Sequence, residues 1–133
     1  MANEKIPSNY EKLILEYPLS STSVPMIWDA ISTGPGLAAW FADDVKVTGK
    51  LYTFMWGKHE SRVAELTNCR QSTYVRFHWQ DEAPGTFCEL RILKNDLTGN
   101  YTLEVTECVQ ESEIGDQRSL WDSAVEALRR CGL

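Results

Sequence analysis

One carboxylate in this sequence falls on an apolar strand face, where an ionised group is costly to bury. Glu107 alternates with Leu103 and Val105 in the run from Tyr101 to Val109, so these side chains share one face of a predicted strand. If Glu107 points inward, it must be paired or neutralised, and burial would raise its pKa. The alternative is that strand twist or a bulge turns Glu107 towards solvent.

Two further polar side chains are candidates for a site. Tyr52 lies in an alternating aromatic run, and a buried phenol needs a hydrogen-bond partner that a ligand can supply. His78 alternates out of phase with its aromatic neighbours, which predicts the outer face and a surface or interface role. Glu107 and Tyr52 are therefore the inward polar groups that the sequence nominates for any chemistry.

Motifs that mark common enzyme and metal sites are missing from the sequence. It contains no nucleophile elbow, no H-E-x-x-H and no glycine-rich phosphate loop, and Gly34-Pro35-Gly36 is predicted to break a helix. His59 and His78 join no cluster of metal ligands, and no C-x-x-C pair occurs. We expect no metal and no cofactor, and we name no catalytic residue, although side chains distant in sequence can still meet in space.

Composition and charge exclude several kinds of partner. The 133 residues are 43% hydrophobic and carry a net charge of −6, which disfavours nucleic acid and anionic membrane surfaces. No apolar stretch approaches the roughly 20 residues that cross a bilayer, and no hydrophobic leader follows Met1. We expect one domain over residues 1–133 in the cytoplasm, with four reduced and mostly buried thiols: Cys69, Cys88, Cys108 and Cys131.

The order of the predicted elements indicates an α+β fold. Alternating apolar runs between turn residues predict six strands, at Lys12–Leu19, Val47–Trp56, Glu60–Thr67, Thr73–Trp79, Phe87–Leu93 and Tyr101–Val109. Two short helices follow the first strand, one after Pro25 and one over Leu37–Phe41. The last five strands have short links, which predicts an antiparallel meander.

The last predicted helix has the clearest pattern. Asp116 is its predicted N-cap, and Gly132 lies just beyond its predicted end. An apolar stripe runs along one side: Leu120, Trp121, Ala124, Val125, Leu128 and Cys131. A stripe about 100° wide is typical of a helix that packs on an apolar surface, and the sheet offers the one large surface available.

Local motifs resemble a known family. The stretch from Ser23 to Ser32 (SVPMIWDAIS), followed by Gly36 to Phe41 (GLAAWF), resembles the START-like or Bet v 1-like superfamily. The resemblance is strongest to the branch related to the activator of Hsp90 ATPase, although Lys50 stands where a second glycine is usual. It implies a helix-grip fold, in which a curved antiparallel sheet of about six strands wraps a long C-terminal helix and encloses a cavity for an apolar small molecule.

The resemblance also implies which residues face that cavity. The expected ligand-binding set joins inner-face strand residues to two helix residues and a pair near the mouth: Trp40, Phe41, Tyr52, Phe54, Trp56, Phe77, Trp79, Leu90, Leu103, Val105, Glu107, Trp121 and Val125. Core packing is the alternative for each aromatic, because a buried Trp removes much area from water with or without a ligand. Trp28 is expected to anchor the first helix.

Three functions fit these expectations, and fold analogy does not choose among them. The first is binding of a hydrophobic or aromatic small molecule between the last helix and the sheet. The second is a protein-interaction module of the co-chaperone kind, which predicts an exposed apolar patch. The third is a cyclase- or hydrolase-like enzyme that uses the same cavity. A homodimer through the outer face with Tyr74, Arg76 and His78 is a further expectation.

Overall fold

The structure is a computed structural model that describes residues 6–133, and its centre is one antiparallel sheet. The strands are β1 Tyr10–Pro18, β2 Asp44–Thr48, β3 Leu51–Trp56, β4 Glu60–Arg70, β5 Tyr74–Trp79, β6 Cys88–Lys94 and β7 Tyr101–Gln110. The helices are α1 Val24–Ser32, α2 Gly34–Ala38 and α3 Ile114–Arg130, the last of which follows a 3₁₀ turn at Glu111–Glu113. This is the α+β helix-grip arrangement that the resemblance implied.

The sheet has β1 at one edge and β2 at the other, in the order β1-β7-β6-β5-β4-β3-β2. Strands β2 to β7 form the expected meander, and β1 joins β7 with Leu13 opposite Glu107 and Leu15 opposite Val105. Because consecutive strands β1 and β2 are the two edges, α1 and α2 carry the chain across the sheet. The two short helices therefore cover one part of the inner face, and α3 covers another.

The predicted strand Val47–Trp56 is in fact the hairpin β2–β3, so the described sheet has seven strands rather than about six. Gly49 has a φ of 61°, in the left-handed region that favours glycine, and Val47 pairs with Tyr52 across the turn. Tight hairpin turns need such backbone. The turn was not predicted, because a glycine or an asparagine at position 50 would have indicated a hairpin turn and Lys50 does not.

Helix α2 starts earlier than predicted, and Gly34-Pro35-Gly36 is its first turn rather than a break. The Thr33 side chain caps this turn by accepting a hydrogen bond from the Gly36 amide at 2.9 Å. A Cβ at Gly36 would lie 1.9 Å from the carbonyl oxygen of Asp29, so only glycine lets α2 begin directly against α1. Trp40 and Phe41 consequently lie in the turn after α2 and not on the helix.

Helix α3 also starts earlier than predicted. It begins at Ile114, and Asp116 lies in its first turn instead of at the N-cap, where a negative charge still favours the helix dipole. Trp121, Val125 and Leu128 form the buried stripe, whereas Leu120 is 62% exposed. The apolar stripe is thus narrower than predicted, because the face that bears Leu120 does not meet the sheet.

The core lies between the inner face of the sheet and the three helices. Its fully buried side chains come from every layer: Phe54, Ile27, Ile31, Leu37, Leu103, Leu128, Val75, Val105 and Val125. Trp28 is half-buried and packs against this core. None of the helices among residues 6–133 has the length and apolarity needed to cross a bilayer.

The four thiols are free in the structure, and they divide evenly in exposure. Cys88 and Cys108 are buried, whereas Cys69 and Cys131 are exposed. The prediction of mostly buried thiols is therefore right for two of the four.

Candidate ligand-binding site

A cavity of about 380 Å³ lies between the N-terminal half of α3 and the inner face of the sheet. Its lining combines aromatic rings with a few polar side chains: Trp40, Phe41, Trp56, Glu60, Arg62, Trp79, Glu107, Gln117, Leu120, Trp121, Ser123 and Ala124. The exposed side chains of Leu120 and Ser123 on α3 place its mouth at the surface of the protein.

Phe41 is the centre of the aromatic wall. Its ring stacks near Trp121, with centroids 5.1 Å apart, and contacts Trp56 edge-on at 5.8 Å. It also lies roughly parallel to Trp79 at 6.3 Å. Each such pair adds about 0.5–1.5 kcal/mol beyond the area it buries, so these contacts stabilise the aromatic wall.

Hydrogen bonds from the indoles hold this wall in place. The Trp40 indole nitrogen donates to the carbonyl oxygen of Ala30 at 2.8 Å, and the Trp56 indole nitrogen donates to that of Phe41 at 2.9 Å. Both acceptors are main-chain atoms, so the ring orientations are tied to the backbone. The cavity therefore has a preformed shape rather than a set of mobile side chains.

Glu107 is the polar centre of the site, and its side chain points into the protein rather than towards solvent. The residue is 4% exposed, and its carboxylate accepts three hydrogen bonds. Oε1 accepts from the Trp121 indole at 2.8 Å and from the Gln117 amide at 3.0 Å, while Oε2 accepts from the Trp79 indole at 3.2 Å. Three neutral donors make the buried carboxylate tolerable without an ion pair.

The pKa of Glu107 is raised, and burial is the main cause. The three hydrogen bonds and the positive charge of Arg62 act in the opposite direction without cancelling the effect of burial. Glu107 thus combines a perturbed carboxyl with a position on a cavity wall, which is the pairing typical of functional carboxylates.

The donors to Glu107 come from both layers of the fold. Trp79 lies on β5, two strands away from β7, whereas Gln117 and Trp121 are one turn apart on α3. The carboxylate therefore joins the helix to the sheet at the floor of the cavity, as well as facing its interior.

Arg62 of β4 forms the polar side of the cavity. Its Nε and Nη2 each donate to the carboxylate of Asp81 at 2.8 Å, and Nη2 also lies 3.4 Å from Glu82. The guanidinium lies over the Trp79 ring at 4.0 Å from the centroid. The Arg62 hydrogen bonds and charge lower the pKa of Asp81, so the pair is ionised at neutral pH.

A smaller polar cavity of about 150 Å³ also reaches Glu107. Acidic and amide side chains dominate its lining: Arg62, Asp81, Glu82, Glu107, Cys108, Val109, Gln110, Glu113 and Gln117. These groups are not arranged as metal ligands, because no cluster of three His, Cys, Asp or Glu side chains suited to a metal occurs within residues 6–133.

The structure divides the expected ligand-binding set into two groups. Six residues line the cavity: Trp40, Phe41, Trp56, Trp79, Glu107 and Trp121. The other seven are buried in the packed core and do not line it: Tyr52, Phe54, Phe77, Leu90, Leu103, Val105 and Val125. Alternation groups the strand residues on one face, which the resemblance implied to be the inner one, and Val125 belongs to α3; neither tells which part of that face is covered.

Tyr52 has a different role from the one expected. Its hydroxyl donates to the carbonyl oxygen of Ser32 at 3.0 Å, so the protein itself supplies the partner that a ligand was expected to supply. Burial raises the pKa of this phenol, which stays protonated and available as a donor. Glu107 and Tyr52, the two polar groups nominated by the sequence, are therefore not brought together in one cavity.

Sequence reasoning missed several residues of the cavity: Glu60, Arg62, Gln117, Leu120, Ser123 and Ala124. Two of them carried a readable signal. Arg62 alternates with Ala64 on β4 and so shares the inner face, and Gln117 precedes Trp121 by four residues on one side of α3.

His78 projects from the sheet between inward Phe77 and Trp79, on the outer side as alternation predicted. Its Nδ1 lies 2.9 Å from the carbonyl oxygen of Thr86. The neighbouring Arg76 is bound to Glu89 and lies over the Phe87 ring at 4.0 Å. On the outer surface expected to serve a homodimer, the side chains of Arg76 and His78 therefore already have partners within the same chain.

Comparison with known proteins shows where this fold belongs. The family model for the START-like superfamily domain matches residues 7–131. A Bacteroides fragilis protein with a solution NMR structure is 44% identical, and the match covers 92% of this chain and 91% of that chain with a TM-score of 0.64. The search of curated proteins found no match.

More distant solved structures share the fold. Aha1 from Colwellia psychrerythraea, solved as a dimer in solution, is 14% identical, with 89% of this chain and 92% of that chain covered and a TM-score of 0.74. CalU16 from Micromonospora echinospora is 15% identical, with coverages of 90% and 74% and a TM-score of 0.70. The family match and the Bacteroides relative carry the stronger conclusion: this chain belongs to the START-like superfamily.

Proposed function

We propose that this protein binds an apolar small molecule with an aromatic or similarly flat body in the cavity under α3. The observation that carries the proposal is a space of about 380 Å³ walled by five aromatic rings and one buried carboxylate. Cavities of about 300–1,000 Å³ with apolar walls and a few placed polar groups are typical of small-molecule sites. Ligand binding is common in the START-like superfamily, to which the chain belongs.

The helix that covers the cavity supports this proposal. Over the cavity, α3 presents Gln117, Ser123 and Ala124 beside the larger Leu120 and Trp121, and these three side chains are too small or too polar to fill the space against the aromatic wall. One turn further on, Val125 and Leu128 are almost completely buried in the core. Small residues opposite large rings are the arrangement that leaves room for a guest molecule.

A pair of serine substitutions on α3 tests the proposal. Ser123 lines the cavity mouth, whereas Ser119 is exposed on the same helix and lines no part of it. We expect Ser123→Trp to fill the mouth and to weaken binding of the neutral fluorescent probe N-phenyl-1-naphthylamine about tenfold or more. Ser119→Trp adds the same ring to the helix surface and should leave the affinity unchanged.

Fluorescence titration of the probe into each protein gives the dissociation constants. Equal affinity in the wild type and both variants would contradict a site under α3. Native mass spectrometry of freshly purified protein adds an independent measurement, because a natural ligand retained in the cavity gives a mass above that of the chain.

The other functions stay predictions. Glu107 lies on the cavity wall, as the enzyme hypothesis requires, but Tyr52 does not accompany it. Aha1 from Colwellia was solved as a dimer, and at 14% identity this likeness extends to the fold alone. A homodimer, a protein partner and the cytoplasmic location are therefore carried forward as expectations.

A further inference from the structure

The indole donors on the wall of the cavity are already engaged by the protein. The indoles of Trp40 and Trp56 donate to main-chain carbonyl oxygens, and the three donors around Glu107 all bond its carboxylate. Every buried side-chain nitrogen and oxygen in the described part of the chain has a partner. A ligand that presents carbonyl or carboxylate oxygens would have to use Nη1 of Arg62 or the hydroxyl of exposed Ser123, because the indole donors are already taken.

Acceptor capacity, by contrast, is left over at Glu107. Its Oε1 accepts two hydrogen bonds, from Trp121 and Gln117, whereas Oε2 accepts one, from Trp79 at 3.2 Å. A carboxylate oxygen has two lone pairs, so Oε2 has room for one more donor on the wall of the cavity. The free lone pair on Oε2 of Glu107 can therefore accept a hydrogen bond from a ligand that carries a donor.

The charges around the cavity point in the same direction. Glu60 and Glu107 are its acidic residues, and Arg62 is the basic one. Two nitrogens of Arg62 are bound to Asp81, which cancels much of its charge, and its third nitrogen, Nη1, has no hydrogen-bond partner among residues 6–133. Burial raises the pKa of Glu107, so an ionised carboxylate there is costly until a cation joins it.

We propose that the cavity selects an aromatic or apolar amine in its protonated form, whose ammonium donates to Oε2 of Glu107 while its hydrocarbon body lies against the aromatic wall. This inference rests on the proposed function, because it names the chemical class of the ligand for the same cavity. An ammonium supplies both the missing donor and the missing positive charge, whereas a neutral alcohol supplies a donor and a carboxylate supplies neither.

Three compounds with one ring system and different end groups test the inference. They are tryptamine, tryptophol and indole-3-propionate, which end in an ammonium, a hydroxyl and a carboxylate at neutral pH. We expect isothermal titration calorimetry on the full chain to give tryptamine an affinity about tenfold or more above that of tryptophol, since hydrogen bonds to charged groups exceed neutral ones. Indole-3-propionate should bind most weakly.

Two charge variants separate a direct contact from long-range attraction. Glu107→Gln keeps the shape of the side chain and removes its charge, so tryptamine and tryptophol should bind it with similar affinity. Glu65→Gln removes one negative charge from an exposed position on β4, away from the cavity, and should keep the preference for tryptamine.

The wild-type protein offers a readout that does not depend on the folding of any variant. The Trp79 indole proton lies beside Oε2, so its NMR resonance should shift more on addition of tryptamine than of tryptophol. Similar affinities and shifts for all three compounds would overturn the amine inference and leave the cavity as a general apolar site. Tightest binding of indole-3-propionate would also overturn it, in favour of the free Nη1 of Arg62. Failure of the three compounds and of N-phenyl-1-naphthylamine to bind would overturn the proposed function itself.

Discussion

Two buried glutamates on neighbouring strands of this protein have opposite electrostatic surroundings. Glu89 lies on the outer face of β6 and is 6% exposed, and Glu107 lies on the inner face of β7 and is 4% exposed. Arg76 and Arg91 bind Glu89, which lowers its pKa despite its burial. Glu107 receives neutral donors, and burial raises its pKa.

Glu89 has all of its charge compensated by the protein, whereas Glu107 can still interact with a ligand. Glu89 has two cationic partners within 3.1 Å, so its charge is compensated inside the protein. Glu107 has hydrogen bonds without a direct ion pair, and one oxygen keeps a free lone pair beside a cavity. Equal burial therefore does not imply equal roles, because the charge of the partners decides what the carboxylate can still do.

Removal of the Glu107 side chain should have the largest effect on stability. In Glu107→Ala, two buried indole nitrogens and the Gln117 amide lose their shared acceptor, so we expect the free energy of unfolding to fall by about 3 kcal/mol. Glu104→Ala, a half-buried glutamate on the same strand without these partners, should change it by less than about 0.5 kcal/mol. Urea denaturation followed by tryptophan fluorescence measures both, and equal losses would refute the joining role of Glu107.

Removal of the Glu89 side chain should cost less, although that residue has the stronger ionic partners. The Arg76 and Arg91 side chains are 36% and 32% exposed, so water can solvate them when Glu89→Ala removes their acceptor. We expect a loss of about 1 kcal/mol in the free energy of unfolding. A double-mutant cycle with Arg76→Ala checks the reason, since a coupling energy near zero would show that the ion pair does not account for the loss.

The pH dependence of stability should differ in sign between the two glutamates, with the smallest amplitude of the three effects. A lowered pKa makes Glu89 stabilising above its ordinary value of 4.5, and this contribution is lost as the pH falls through the folded-state pKa. A raised pKa makes the contribution of Glu107 complete below 4.5, and it is lost as the pH rises through the folded-state pKa.

The corresponding measurement uses Glu89→Gln and Glu107→Gln beside the wild type. The stability advantage of the wild type over Glu89→Gln should grow with pH in the acid range, and its advantage over Glu107→Gln should shrink as the pH rises above 4.5. Urea titrations from about pH 3 to about pH 8 give these slopes. Slopes of the same sign would remove the electrostatic distinction between the two residues.

Much of the sheet was predictable because period-two alternation follows directly from strand geometry. The run with Leu103, Val105 and Glu107 was assigned to one face, and the structure buries all three. The hairpin turn at Gly49 and the start of α2 at Gly34 were missed, because each depends on a close backbone contact or a left-handed residue that adjacent letters do not reveal.

The candidate site was predictable in part, and the residues that were missed lie on β4 and α3. Six of the expected residues line the cavity, while Tyr52 and Phe77 belong to a filled part of the same inner face. Which part is filled depends on the helix that packs against it. At Tyr52 the chain at the end of α1 covers the sheet closely, because the Tyr52 hydroxyl donates a hydrogen bond to the carbonyl oxygen of Ser32.

By itself the sequence determined the face of each strand residue, the stripe of α3 and the membership of a family of one architecture. The strand faces and the helix stripe follow from local periodicity, which is set by the backbone geometry of a strand or helix, whereas the family was indicated by the motifs at residues 23–32 and 36–41. Only the tertiary structure decided that Trp79, Gln117 and Trp121 meet at Glu107 and that Arg62 is paired with Asp81. The cavity beside Glu107 forms where side chains of α3 face those of several strands, and these elements are far apart in the chain.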